Sequence, residues 1–176
     1  VCLDSGRSWR RDIEPSYKAN RPELTPEERE NHHRQRCDAM EWFESGGHTI
    51  HQADTYEADD CLATLAWQIV SGESQESKVV IYSHDGDINQ LLVPGRITRI
   101  PRATMSWGHI DPQYLTHDGL VKKHGVRSGQ WIDYRTLTGD ASDGYKGCPG
   151  IGPKRARTLL EHGTLDEVLS DPELVQ

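Results

Sequence analysis

The chain reads as an α/β fold, a parallel sheet followed by a helical region, and three observations lead there. β-Branched segments alternate with segments of helical periodicity up to about residue 110, helices predominate after it, and acidic residues cluster where strands end and helices begin.

The elements follow in order. "VCL" (1–3) reads as the end of a strand. Thr25 as N-cap and Pro26 at the first helical position open a polar-faced helix over 26–45. "HTIHQ" (48–52) reads as a strand, and the next helix starts after Glu57 with Leu62, Leu65, Ala66 and Ile69 on one face. "KVVIYS" (78–83) is the clearest strand, almost wholly apolar and therefore expected to be central and covered on both sides. "RITRI" (96–100) is a further short strand. Four helices are expected over 111–125, 128–139, 152–163 and 164–171, so a boundary near residue 110 divides a 1–110 core from a 111–176 helical region.

Bulk properties exclude several classes. At 176 residues the chain can bury one sizeable core, or a core with a small appended module, and it carries no apolar run of membrane-spanning length. It begins with neither a signal peptide's apolar stretch nor Met, so it is expected to be a fragment starting inside a strand. The four cysteines, Cys2, Cys37, Cys61 and Cys148, form no C-x-x-C pair, which argues against zinc and against a disulfide framework and fits a reducing cytoplasm. His32 and His33 lie in a charged helix and are read as solvated. A net charge of −8 argues against nucleic acid by its sum, but basic residues concentrate in "RSWRRDIEPSYKANR" and "KGCPGIGPKRARTLL" while acids sit in tight groups.

Those groups carry the chemistry. Glu57, Asp59 and Asp60 place three carboxylates in four positions at a helix start. The plainer explanation is the macrodipole, with Asp54 and Glu57 closing a capping box. Asp85 and Asp87, however, follow the strongest strand at spacing two, Asp140 and Asp143 lie three apart at a helix end, and Asp4 follows the first strand. These eight carboxylates sit at element ends where an open α/β sheet binds ligands. Each unneutralised pair at 4 Å costs about 1 kcal/mol in water and about 4 kcal/mol at an effective dielectric of 20. Hard divalent cations relieve that repulsion. An all-oxygen set favours Mg²⁺ or Mn²⁺ over zinc, and two ions about 3.5 to 4 Å apart suit phosphodiester hydrolysis.

Two basic features complete the pattern. In "GCPGIGPKRARTLL" the turn Gly150-Ile151-Gly152 leads into a helix N-terminus that can receive a phosphate, and Lys154, Arg155 and Arg157 add charge in its first turns. A Walker A reading fails because Pro153 stands where the Lys should be and no Ser or Thr follows Lys154. A helix-hairpin-helix that grips DNA backbone fits better. In "YKANR", Lys18 and Arg21 are either a solvated pair or, beside a metal centre, stabilisers of charge on a scissile phosphate.

Taken in this order, "LDSGRSWRRDIEPSYKANRP", "YEADDCLATLA", "SHDGDINQLL", "KKHGVRSGQWIDYRTLTGDASD" and "GCPGIGPKRARTLL" resemble the 5′-nuclease family: the 5′→3′ exonuclease domain of bacterial DNA polymerase I, its standalone relatives and phage flap endonucleases. The resemblance implies a PIN-like nuclease core, a helical arch over about 17–45 and a helix-hairpin-helix. It makes Asp4, Glu57, Asp59, Asp60, Asp85, Asp87, Asp140 and Asp143 metal-site acids, binding two Mg²⁺ or Mn²⁺ ions. Lys18 and Arg21 become basic residues at the base of the arch, and Tyr17 either stacks on a nucleobase or packs. Gly150, Gly152, Lys154, Arg155 and Arg157 become DNA contacts, with K⁺ held by the hairpin's carbonyls. The implied activity is a monomeric 5′→3′ exonuclease or 5′-flap endonuclease in replication or repair, cutting flaps, nicked or branched duplex and 5′ ends, with water as nucleophile.

Two departures stand against the family pattern. Family members carry an additional first strand with another metal-binding Asp, which this chain starts too late to include, and Gly144 replaces the usual Asn after the last acidic pair. The alternative expectation is therefore a catalytically impaired DNA-junction binding protein. A PIN-like nuclease acting on RNA is a third, against which the hairpin after residue 147 weighs.

Overall fold

In the computed structural model, all residues are described except Glu73, Gln75, Trp107, Gly108, Pro172, Glu173, Val175 and Gln176. The chain forms two compact units, Val1–Leu62 and Ala63–Gln176.

In the first unit the segments expected as strands meet in a single parallel bridge, Cys2 with His51, supported by Leu3 N–H donating to His51 O at 2.9 Å and His51 N–H to Val1 O at 2.8 Å. Neither "VCL" nor "HTIHQ" extends into a strand, because one bridge fixes the pair locally without building a ladder. A short helix α1 (Arg10–Ile13) precedes α2 (Pro26–Ser45). The start of α2 is written locally: the Thr25 hydroxyl accepts from Glu28 N–H, and the Glu28 carboxylate accepts from Thr25 N–H at 2.8 Å. None of its residues is buried, in keeping with its polar sequence.

Helix α3 (Ala58–Ser71) starts at the acidic cluster. The carboxylate that closes its start is Asp60, which accepts from Glu57 N–H at 3.0 Å, rather than an Asp54–Glu57 box. Its apolar face is also turned from the expected one: Ala66 and Val70 are buried, while Ile69 is exposed.

In the second unit β1 (Val79–Tyr82) pairs in parallel with β2 (Ile97–Ser106), in keeping with the parallel sheet expected, and a 3₁₀ turn rather than an α-helix lies between them. β2 also pairs antiparallel with β3 (His109–Leu115), in the spatial order β1-β2-β3. Residues 111–115 were expected in a helix; Pro112 is tolerated in this strand because β3 is an edge, where a missing N–H leaves no ladder bond unmade. β1 is likewise an edge among the described residues. Ile81 is buried, but Val80 and Tyr82 are exposed, so the strand is not covered on both sides as its composition predicts.

Beyond β3 come α4 (His117–His124), α5 (Trp131–Thr138), α6 (Pro153–Leu160) and α7 (Leu165–Leu169). α4 is capped by Thr116 and stopped by Gly125 at φ 74°, a left-handed position that suits glycine. Leu92, Leu120, Val126, Trp131, Tyr134, Leu137, Ala156 and Leu160 form one buried cluster that joins the 86–92 segment to the helices. Buried Gln130 donates from Nε2 to Leu160 O at 2.7 Å and Gly163 O at 3.0 Å, satisfying carbonyls at the end of α6.

Candidate metal centre

β1 ends at Tyr82, and the chain enters a 3₁₀ turn (Gly86–Leu91) that Asp85 precedes and that carries Asp87 in its first residues. Spacing two aligns side chains only inside a strand, and both acids lie past its end. Asp85 caps the turn, accepting from Asp87 N–H at 2.9 Å. The turn is anchored to the sheet by Arg99, buried in β2, whose Nη1 donates to Asn89 Oδ1 at 2.5 Å and whose Nε donates to Ser83 O at 2.9 Å.

Asp140 and Asp143 stand in a loop pinned at both ends. Asp140 N–H donates to Tyr145 O at 2.7 Å, Tyr145 N–H returns to Asp140 O at 2.8 Å, and Cys148 N–H donates to Leu137 O at 2.9 Å. Two glycines make the pinning possible. A Cβ on Gly139, at φ 82°, would lie 2.7 Å from Tyr145 O, and one on Gly147, at φ 69°, would lie 2.5 Å from Gly139 N. Gly144, where the resemblance implies Asn, has φ 86°, a left-handed conformation to which Asn is also suited.

The loop and the turn bring Asp87, Asp140 and Asp143 together, with one carboxylate oxygen from each lying within 4.8 Å of the others. All three are half-buried, and they line a cleft of about 530 Å³ with Trp131, Arg135 and Tyr145. An all-carboxylate set is a hard-cation set, so these three residues fit Mg²⁺ or Mn²⁺ better than zinc. Two residues that the acid count alone does not reveal orient the group. Ser142 donates to Asp140 Oδ1 from its backbone N–H at 2.8 Å and from its hydroxyl at 2.5 Å, and the Arg135 guanidinium pairs with Asp140 and approaches Asp87 Oδ1 at 3.8 Å.

The other four acids belong to the first unit. Asp4 Oδ1 accepts from Ala58 N–H at 2.7 Å, placing it against the first turn of α3, where Asp59 and Asp60 lie. Asp60 is gripped by both Nη atoms of Arg10 at 2.7 and 2.8 Å. The Arg10 hydrogen bonds hold the Asp60 carboxyl below its ordinary range, against the opposing effect of burial. Glu57 accepts from Lys18 Nζ at 3.1 Å on both oxygens and from the Tyr17 hydroxyl at 2.9 Å. Burial pushes Glu57 upward, but the hydrogen bonds from Lys18 and Tyr17 outweigh it and hold the carboxyl low. Arg10 was not singled out by sequence; its one signal is its place in a basic run, and its partner is fifty residues away.

Of the basic and aromatic candidates, Lys18 takes the left-handed φ of 55°, uncommon for a residue with a side chain. Arg21 is exposed, and its N–H donates to Lys18 O at 3.3 Å. Tyr17 is buried, with 5% of its surface exposed, and burial pushes its hydroxyl up to about 12. At the hairpin, Gly150 turns at φ 78°, Gly152 caps α6, and Lys154 and Arg155 are exposed beside it. Arg157 is half-buried and folds back, its Nε donating to Pro153 O at 3.2 Å. No helix among the described residues is long and apolar enough to cross a membrane.

Comparison with known proteins bears on the family and the fold. The chain is 36% identical over 170 residues to the thermostable DNA polymerase I of Thermus thermophilus, covering 96% of this chain and 18% of the polymerase. It is 36% identical over 154 residues to the flap endonuclease Xni of Shewanella pealeana, covering 87% of this chain and 54% of that enzyme. The chain thus spans about half the length of the flap endonuclease relative and less than a fifth of the polymerase. Its fold is that of a bacteriophage T5 protein co-crystallised with metal ions, at a TM-score of 0.75 and 24% identity over 96% of this chain and 62% of that one. The bacteriophage T5 flap endonuclease in a pseudo-enzyme-product complex with DNA and metal ions matches equally well, at 0.75 and 24% over 96% and 61%. Residues 1–124 match the 5′-3′ exonuclease N-terminal resolvase-like domain and residues 126–176 its C-terminal SAM fold, and the chain therefore belongs to the 5′-3′ exonuclease family.

Proposed function

We propose that this chain is a structure-specific 5′-nuclease that hydrolyses DNA phosphodiesters at 5′ flaps, nicks, branches or 5′ ends with two Mg²⁺ or Mn²⁺ ions. The observation that carries the reading is the meeting of Asp87, Asp140 and Asp143 in one cleft of a family member. In the proposal Asp87, Asp140 and Asp143 hold one ion, Asp85 is a further candidate ligand, and Asp4, Glu57, Asp59 and Asp60 contribute ligands for a second. Such ions supply Lewis acidity and make water a competent nucleophile at neutral pH.

The remaining work falls to the chain's own residues. Lys18 and Arg21 offset the charge that builds on the phosphate during cleavage. The Gly150–Gly152 turn and the α6 N-terminus hold duplex backbone, with Lys154, Arg155 and Arg157 adding charge; the turn's carbonyls are offered as a K⁺ site. The division into a core over 1–110 and a hairpin region over 111–176, a monomeric state and a cytoplasmic role in replication or repair complete the reading. Its support is the family and the acid geometry.

The test is incubation of an end-labelled 5′-flap duplex with the full chain in Mg²⁺ and in EDTA. Incision in Mg²⁺ alone supports the proposal. Tight binding with no incision in either buffer contradicts it and identifies a junction-binding protein, while cutting confined to single-stranded RNA points to the PIN-like alternative.

A further inference from the structure

One guanidinium stands among the acids of the cleft. Arg135, on the last turn of α5, pairs through Nη2 with Asp140 Oδ2 and brings Nε to 3.8 Å from Asp87 Oδ1. That distance is too long for a hydrogen bond, and Nε is a buried nitrogen without a hydrogen-bond partner among the described residues. The arginine is held there from both sides. Its helix is fixed by buried Trp131, Tyr134 and Leu137, and its own carbonyl accepts from Gly139 N–H at 2.7 Å, one residue before Asp140.

The two oxygens of Asp140 are already divided. Oδ1 takes both Ser142 donors, which leaves Oδ2 to Arg135. A divalent ion drawing on Asp140 therefore meets the guanidinium at Oδ2, and two cations of like sign compete for one carboxylate. We infer that Arg135 is a positioning residue that acts as an internal counter-cation: it restrains Asp140 and Asp87 against mutual repulsion when no ion is bound, and it weakens ion binding by competing for Oδ2. The inference rests on the reading that Asp87, Asp140 and Asp143 bind a divalent ion.

Calorimetric titration of the full chain with Mn²⁺, together with thermal melts in EDTA, tests it on Arg135→Lys and Arg135→Gln. Removing the charge in Arg135→Gln is expected to tighten Mn²⁺ binding about tenfold, as expected for relieving like-charge repulsion at a partly buried site. The same variant is expected to melt lower than the parent in EDTA and to recover when Mn²⁺ is added. Arg135→Lys keeps the charge without the planar fork and is expected to fall between parent and Gln, so it reports even if the Gln variant does not fold. Equal or weaker binding in whichever variant folds overturns the inference while the metal site stands. Asp140→Asn separates the two ideas, since a Mn²⁺ stoichiometry and affinity unchanged by it remove the Asp87–Asp140–Asp143 site and this inference together.

Discussion

Lys18 Nζ lies 3.1 Å from both carboxylate oxygens of Glu57, thirty-nine residues further along the chain. A residue proposed to meet DNA phosphate and a residue proposed to bind metal thus neutralise each other, and Lys18 holds a left-handed φ of 55° while doing so. Lys18→Ala should lower turnover on flap DNA by at least tenfold while changing affinity less than threefold, because its charge acts on the reacting phosphate more than on the bound duplex. Single-turnover rates beside a binding isotherm measure the split.

Arg10 and Asp60 form the tighter pair, with two hydrogen bonds at 2.7 and 2.8 Å. Arg10→Ala should cost about 1 to 2 kcal/mol at neutral pH, between an exposed ion pair and a charge-assisted hydrogen bond. The sign follows from Asp60 being held below its ordinary value: its contribution is complete above the unfolded carboxyl pKa and disappears as pH falls through the lower folded value. Denaturant melts of parent and variant should differ at pH 7 and converge once the carboxyl is protonated in both states.

The loop that carries Asp140 and Asp143 depends on Gly139 and Gly147 lying back to back. An added methyl at either meets backbone atoms at 2.5 to 2.7 Å in a left-handed conformation, so neither can yield as a side chain would. Gly139→Ala or Gly147→Ala should each destabilise by roughly 2 kcal/mol or more and lose the Mn²⁺ ion that depends on Asp140 and Asp143. Gly150→Ala, whose Cβ meets nothing within 4 Å but still sits at φ 78°, should cost less. Thermal melts of the three variants give the order.

How much of this was legible in the sequence depended on distance along the chain. The start of α2 was readable because Thr25, Pro26 and Glu28 are neighbours. β1 and the acids after it were readable because apolar β-branched residues give way to Asp and Gly within a few positions. β3 was missed because "DPQYL" neither alternates cleanly nor avoids proline, and what makes it a strand is the edge of β2. Grouping Asp87 with Asp140 and Asp143 rested on analogy until the turn and the loop met around the buried cluster. Arg10 was marked only by its place in a basic run and Arg135 not at all, since their partners are set by tertiary packing.

At the hairpin, Lys154 and Arg155 are exposed while Arg157 is turned toward its own helix. Lys154→Ala and Arg155→Ala should each reduce the salt dependence of DNA binding by about one unit of log–log slope, without regard to sequence. Arg157→Ala should change the slope less and stability more, because its stem packs on Gly125. Binding isotherms between 50 and 200 mM salt resolve the difference.

The most direct measurement is the single-turnover cutting rate of a 5′-flap duplex by Asp140→Asn and Asp87→Asn in saturating Mg²⁺, with flap affinity measured alongside. Incision is expected to fall at least a thousandfold in both while the duplex remains bound. Either variant cutting at the parent rate would contradict the proposal.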